Sequence, residues 1–221
     1  MASSRTVIVG GIVTVLTAVG IGYFTGRAHS PSTDPLPEPS PVSSGPSLPE
    51  ATFDRDDLTW KPLSDVEVPY SQTHGPSVIE GGWSRGFART PQGAVLAALH
   101  ITFQTAKGTT VPKEAQLAAL DAQVIGSYAD DYAYRALSGD PLEGLEKVVV
   151  EGYQVVSYAE NAAQVEIVTA VPGEHGVERA GLTFNMIWHS GDWRLVAPSS
   201  EELAENFRLV VSLDGLELFP R

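Results

Sequence analysis

An uncharged, apolar run of 18 residues near the amino terminus constrains this chain more than any other feature. Val7 to Phe24 contains no charged side chain, with Arg5 before it and Arg27 after it. Its length is close to the lower limit for a helix that spans a bilayer. We therefore predict one membrane anchor over residues 7–24, preceded by a short cytoplasmic tail over residues 1–6.

A cleaved signal peptide is the competing interpretation of this run. Signal peptides normally have apolar regions of about 7–15 residues, which is shorter than this one. A weak cleavage pattern is present, because Gly26 and Ala28 flank Arg27. We favour the retained anchor and leave cleavage open. The predicted location is the cell membrane, crossed once, with the amino terminus in the cytoplasm and the remainder outside.

Residues 25–52 are rich in proline and small polar side chains. Seven prolines fall between Pro31 and Pro49. Proline removes backbone donors, and small polar residues bury little apolar surface, so this stretch cannot build a core. We predict a disordered, extended spacer between the anchor and one domain over residues 53–221.

The charge of the predicted domain and the missing cysteines exclude several functions. From Asp54 onward the chain has 12 Lys and Arg residues against 24 Asp and Glu residues. Such an acidic surface repels phosphate backbones, so we predict no direct binding of nucleic acid. The chain has no cysteine. This excludes disulfides, thiolate zinc sites, iron–sulfur clusters and a cysteine nucleophile.

Helical patterns come first in the domain and strand patterns follow. Thr90 and Pro91 begin a helix well, as N-cap and first helical residue. Residues 53–89 look irregular or extended, and a short helix is expected after Ser199. Helices followed by a run of strands indicate an α+β fold, here a curved antiparallel sheet around the helices. The predicted helices cover residues 91–107, 113–125 and 128–137, and the predicted strands cover 148–158, 163–171, 180–189 and 193–197.

Turn and strand patterns add detail to this expected sheet. Glu160-Asn161 and Ser190-Gly191-Asp192 look like hairpin turns. Residues 164–169 alternate in polarity, with Glu166 among the polar positions. This alternation predicts a sheet with one wetter face.

Two stretches carry a family resemblance. One runs from Gly86 to Ala98, and the other reads WHSGDWRLV from Trp188 to Val196. The second resembles the closing hairpin of the NTF2-like superfamily. The first, together with the anchor and spacer, is similar to membrane proteins of actinobacterial conjugative and integrative elements. The resemblance implies an NTF2-like cone outside the cell membrane, like those of bitopic scaffold proteins in conjugation and type IV secretion systems.

Few residues suggest chemistry. Tyr128, Asp130, Asp131 and Tyr132 form the most enzyme-like cluster, because a buried carboxyl or phenol can act as an acid or base. The alternative is an amphipathic helix with tyrosines inward and aspartates in water. The histidines follow no zinc-binding spacing, and no phosphate loop or dinucleotide fingerprint is present. We therefore predict no catalytic residue, metal or cofactor.

Three aromatic residues precede the first predicted helix, namely Trp60, Trp83 and Phe87. They either cover the mouth of the cone or form an apolar patch for a partner. The favoured function is a non-enzymatic scaffold of a conjugative transfer or secretion apparatus. It would contact other membrane or transfer-apparatus proteins, further copies of the chain, and the bilayer through residues 7–24. A small-molecule-binding or enzymatic cone at the cell surface, and a surface protein of another role, are the alternatives.

Overall fold

The computed structural model of the protein describes residues 51–138, 144–173 and 176–221. The expected tail, the anchor and the spacer up to residue 50 lie outside these ranges. Within them, no helix is both long and apolar enough to cross a membrane.

Two short β-hairpins precede the first helix. Strands β1 (Leu58–Leu63) and β2 (Val66–Ser71) pair antiparallel, and so do β3 (Val78–Glu80) and β4 (Trp83–Arg85). The region that the sequence describes as irregular or extended is therefore organised into paired strands.

Helix α1 (Pro91–Thr105) is the buried centre of the domain. The Thr90 hydroxyl accepts a hydrogen bond from the backbone N–H of Gly93 at 3.0 Å, which confirms the predicted N-cap. All but two of the side chains of α1 are buried, as expected of a helix that is apolar on every face. The helix ends two residues before the predicted Lys107. There, the side-chain amide of Gln116 donates to the carbonyls of the last turn.

Two further helices follow. Helix α2 (Lys113–Gln123) ends before the predicted residue 125, because Val124–Ile125 leave the helix as a short strand, β5. This boundary prediction was wrong because the two β-branched residues extend the main sheet. Helix α3 (Ala129–Leu137) agrees with the predicted third helix to within one residue.

A seven-stranded, mostly antiparallel sheet completes the fold, and the predicted α+β class is confirmed. Its order is β11-β6-β7-β8-β9-β5, and β10 pairs with β8 beside β9. Only the β5–β9 pair among the described strands is parallel. Both predicted hairpin turns, β6–β7 and β8–β9, are present. The strands are β6 (Val149–Ala159), β7 (Ala162–Gly173), β8 (Gly176–His189), β9 (Asp192–Val196), β10 (Phe207–Leu209) and β11 (Glu217–Leu218).

The C-terminal segment covers the outer face of this sheet. Helix α4 (Ser200–Glu205) begins with a capping box and leads into β10, which pairs with β8. The chain then returns to β11 beside β6, at the opposite side of β7. Glu166 on β7 is buried under this segment and accepts two hydrogen bonds from Arg208, at 2.5 and 2.9 Å. The expectation of a wetter face was wrong at this position, because the returning chain shields it.

Candidate functional site

The two stretches that carry the family resemblance meet through one buried carboxylate. Asp192, at the start of β9, accepts hydrogen bonds from the backbone N–H groups of Gly86 and Phe87, at 2.8 and 3.0 Å. It also accepts the N–H of Trp193 at 2.9 Å, and the Trp193 indole donates to the carbonyl of Ala88 at 2.8 Å. Charge-assisted hydrogen bonds of this kind are strong. They fix the loop before α1 against the β8–β9 turn.

Two glutamines hold the β3–β4 hairpin on the other side of this loop. Ser84 is completely buried, and its backbone N–H donates to the side chain of Gln104 on α1 at 3.0 Å. The Gln123 amide on α2 donates to the Ser84 carbonyl at 3.0 Å. The Gln123 oxygen accepts from Gln104 and from the Trp83 indole. The two glutamine side chains thus pair with the backbone N–H and carbonyl of Ser84, and Gln123 orients the Trp83 indole.

A surface cleft of about 240 Å³ opens between these two fixed elements. The β3–β4 hairpin, the end of α2 and the β8–β9 turn form its walls. Its lining combines one indole, two guanidinium groups, one carboxylate and small side chains. The residues concerned include Val78, Trp83, Arg85, Ala122, Asp192 and Arg194.

The two arginines of the cleft differ in their partners. The Arg85 guanidinium lies 5.0 Å from the centre of the Trp83 ring and donates to Glu80 at 3.1 Å. This ion pair is open to water, with side-chain exposures of 41% and 73%. The Arg194 Nε–H donates to the carbonyl of His189 at 3.3 Å. In the described part of the chain, no carboxylate lies within ion-pair distance of Arg194.

The predicted cluster on α3 is not brought together in one pocket. Tyr132 is buried, its hydroxyl lies 3.3 Å from that of Thr105, and burial raises the pKa of its phenol. Tyr132 lines a small internal cavity of about 10 Å³, room for roughly one water molecule. Tyr128, Asp130 and Asp131 are exposed. The aspartates therefore face water, as the amphipathic alternative expects.

The three predicted aromatic residues have three different environments. Trp83 lines the cleft. Phe87 is 2% exposed and belongs to the core, so it offers no surface to a partner. Trp60 is half-buried, and its indole donates to the carbonyl of Pro220 at 3.1 Å. The Arg221 guanidinium lies 3.9 Å from the centre of the Trp60 ring, so the C-terminus of the chain covers this indole.

His100 is the one ionisable side chain on α1, and it is completely buried. Its Nε2 lies 2.9 Å from the carbonyl oxygen of Pro69, and its ring contacts those of Tyr70 and Phe87. Burial lowers the pKa of this histidine to about 4. His100 is therefore a packed core residue. Among the described residues, no three His, Asp or Glu side chains are grouped to hold a metal ion.

Sequence reasoning missed most of the cleft. Arg85 and Arg194 belong to segments about 110 positions apart, and neither segment carries a run of basic residues. Gln104 and Gln123 were missed as well. Their one signal is a long polar side chain near the end of a helix.

The geometry defines an acidic α+β domain with a packed interior and a surface cleft rich in arginine and tryptophan. The chain belongs to the family described as Domain of unknown function (DUF8175), which matches residues 26–217. No curated protein and no solved structure matches it significantly.

Proposed function

We propose that this chain is a membrane-tethered, non-enzymatic scaffold of a conjugative transfer or secretion apparatus. Residues 7–24 anchor it in the cell membrane, residues 25–52 act as the spacer, and the folded domain faces outward. It binds other membrane or transfer-apparatus proteins and further copies of itself. The uncharged run, the proline-rich stretch and the resemblance to conjugative-element proteins support this proposal.

The cleft beside Trp83 is the observation that carries the proposal. Tryptophan and arginine are enriched among the residues that dominate protein–protein binding energy. Here one tryptophan and two arginines line an open cleft on a domain with a two-fold excess of acidic over basic residues. An open surface of this composition suits contact with a protein better than enclosure of a small substrate.

The NTF2-like cone forms part of the same proposal. Helices α1 and α2 pack against the main sheet, with α1 contacting β6, β7, β8 and β9. Strand β6 has two irregularities in its pairing with β7, between Val150 and Gly152 and between Val155 and Ser157. Bulges of this kind bend a strand and increase its twist. A bent sheet wrapped around early helices supports the cone.

The arrangement on α3 favours the scaffold over the enzymatic alternative. An acid or base within a cone needs a buried carboxyl beside space for a substrate. Asp130 and Asp131 are exposed, and the cavity at Tyr132 has room for roughly one water molecule.

Gene deletion with complementation tests the proposed function. In the host that carries the gene, deletion is expected to abolish transfer or secretion by its apparatus, and the full chain to restore it. A chain in which a cleavable signal peptide replaces residues 7–24 should fail, because the tether is lost. A double variant with Asp130→Asn and Asp131→Asn should complement fully, since its side chains take no part in chemistry. Normal transfer after deletion would overturn the proposal.

Protease treatment of intact cells tests the orientation separately. The folded domain should be degraded while a cytoplasmic control protein survives. Survival of both proteins would place the domain on the cytoplasmic side and contradict the outward orientation.

A further inference from the structure

We infer that the cleft beside Trp83 binds an acidic side chain of a partner protein, with Arg194 as the residue that recognises its carboxylate. The inference rests on the proposed function, because it takes the ligand to be a protein segment. It adds the chemical class of the ligand and the residue that selects it.

Arg194 is the available cation of the cleft. It is half-buried on β9, and the one hydrogen bond of its side chain among the described residues is the long one to the His189 carbonyl, at 3.3 Å. Arg85 is already paired with Glu80 and stacked on Trp83. The buried Nε–H of Arg85 has no partner within the described ranges. A guanidinium binds a carboxylate through two parallel hydrogen bonds, so an incoming Asp or Glu would supply what both arginines lack.

Asp192 also lines the cleft but forms no ion pair with either arginine within the described ranges. Both of its oxygens are occupied by backbone N–H groups, those of Gly86, Phe87 and Trp193. The same three N–H groups could otherwise have held the carboxylate at the end of a partner chain, as backbone nests do. Because Asp192 already occupies these N–H groups, the arginine side chains must bind the carboxylate of the ligand. This favours an acidic side chain over the carboxylate at the end of a chain.

The volume of the cleft and the charge of the domain around it further restrict which ligands can bind. A volume of about 240 Å³ is below the roughly 300–1,000 Å³ of pockets that enclose drug-sized ligands. It suits one side chain and its neighbour, with the apolar neighbour against Trp83 and Val78. The strongly acidic domain around the cleft disfavours polyanions, since repulsion grows with ligand charge. A single carboxylate is repelled least.

Binding of short peptides to the full chain in lipid nanodiscs tests the inference. Saturation-transfer difference NMR would measure the affinity of N-acetyl-Leu-Glu-Leu-amide and of its neutral Gln counterpart. A third peptide, N-acetyl-Leu-Gln-Leu with a free C-terminal carboxylate, has its charge at the chain end only. The Glu peptide is expected to bind about tenfold more tightly than the neutral peptide, the usual gain from a charge-assisted hydrogen bond.

Variants identify the residue responsible. Arg194→Gln should weaken binding of the Glu peptide about tenfold and leave the neutral peptide unchanged. Arg55→Gln removes the same charge from an exposed arginine outside the cleft and should change neither peptide. If R194Q fails to fold, the affinities of the Glu and Gln peptides for the wild-type chain decide whether the cleft prefers a carboxylate. Equal affinity of the Glu and Gln peptides, equal affinity of the chain-end peptide, or an R194Q chain that still prefers Glu would each overturn the inference.

These results also separate the inference from the proposed function. Glu-specific binding with normal transfer after gene deletion would keep the carboxylate site and reject the scaffold role. Loss of transfer after deletion, together with no preference for the Glu peptide, would keep the scaffold and reject the site.

Discussion

Two buried polar side chains differ in how fully the fold satisfies them. Asp192 has three backbone N–H donors for its two oxygens. His100 has one partner, the Pro69 carbonyl, and its Nδ1 has none among the described residues. A carboxylate held by several donors stabilises its surroundings, whereas a buried imidazole resists becoming charged. Asp192 therefore holds the loop before α1 in place, whereas His100 makes the stability of the domain depend on pH.

His100 is expected to make the domain less stable in acid. Its pKa is lowered from 6.5 to about 4, mainly by burial. Between these values the unfolded chain binds a proton that the folded chain does not, so the free energy of unfolding falls as the pH falls. This histidine accounts for a loss of up to about 3 kcal/mol, complete once the pH is below 4. Urea unfolding at several pH values would measure it.

Matched variants isolate this effect from the other titrating groups. His100→Gln keeps a donor for Pro69 but does not titrate, so the free energy of unfolding should vary less between pH 7 and 4. His189→Gln changes an exposed histidine and should keep the wild-type pH dependence. Parallel pH curves for His100→Gln and the wild-type chain would contradict the prediction.

At the element scale, the sequence predicts the long elements well and the short ones poorly. Helix α1 and strands β6 to β9 have periodic patterns long enough to recognise. Strands β3, β4 and β5 are two or three residues long, so their pairing depends on contacts with distant parts of the chain. The Ser84 backbone illustrates this dependence, because Gln104 and Gln123 come from two separate helices.

Replacing Gln123 is expected to release the β3–β4 hairpin. Gln123→Leu replaces the amide by an apolar group of similar size and leaves the Ser84 carbonyl and the Trp83 indole without partners. Unsatisfied buried groups cost about 1–3 kcal/mol each, so we expect a loss of about 2–4 kcal/mol in unfolding free energy. Hydrogen exchange should accelerate in residues 78–85 and stay unchanged in β7. Gln154→Leu, at an exposed position on β6, should leave both quantities near wild type.

At the scale of the whole molecule, the two ends of the described domain meet. Phe53 packs against Phe219 with ring centres 5.5 Å apart, and Tyr153 contacts both rings. The Tyr153 hydroxyl donates to the carbonyl of Ala51 at 2.8 Å. The order of helix and strand patterns in the sequence predicted the α+β fold class. The same patterns did not predict the contact between the two ends or the cleft beside Trp83, because each joins segments more than 100 positions apart in the sequence.

The aromatic contact at the two ends is expected to be a large contribution to stability. Phe219 is 5% exposed and touches Phe53, Tyr153 and Trp60, so Phe219→Ala should lower the unfolding free energy by about 3–5 kcal/mol. Leu218→Ala changes the neighbouring residue, which is 54% exposed, and should cost less than about 1 kcal/mol. Urea unfolding of both variants would measure the two losses in unfolding free energy. Equal losses would mean that pairing of β11, rather than the buried ring, holds the C-terminus. A larger loss for Phe219→Ala, with faster hydrogen exchange in residues 51–60, would mean that the buried Phe219 ring holds the two ends of the described domain together.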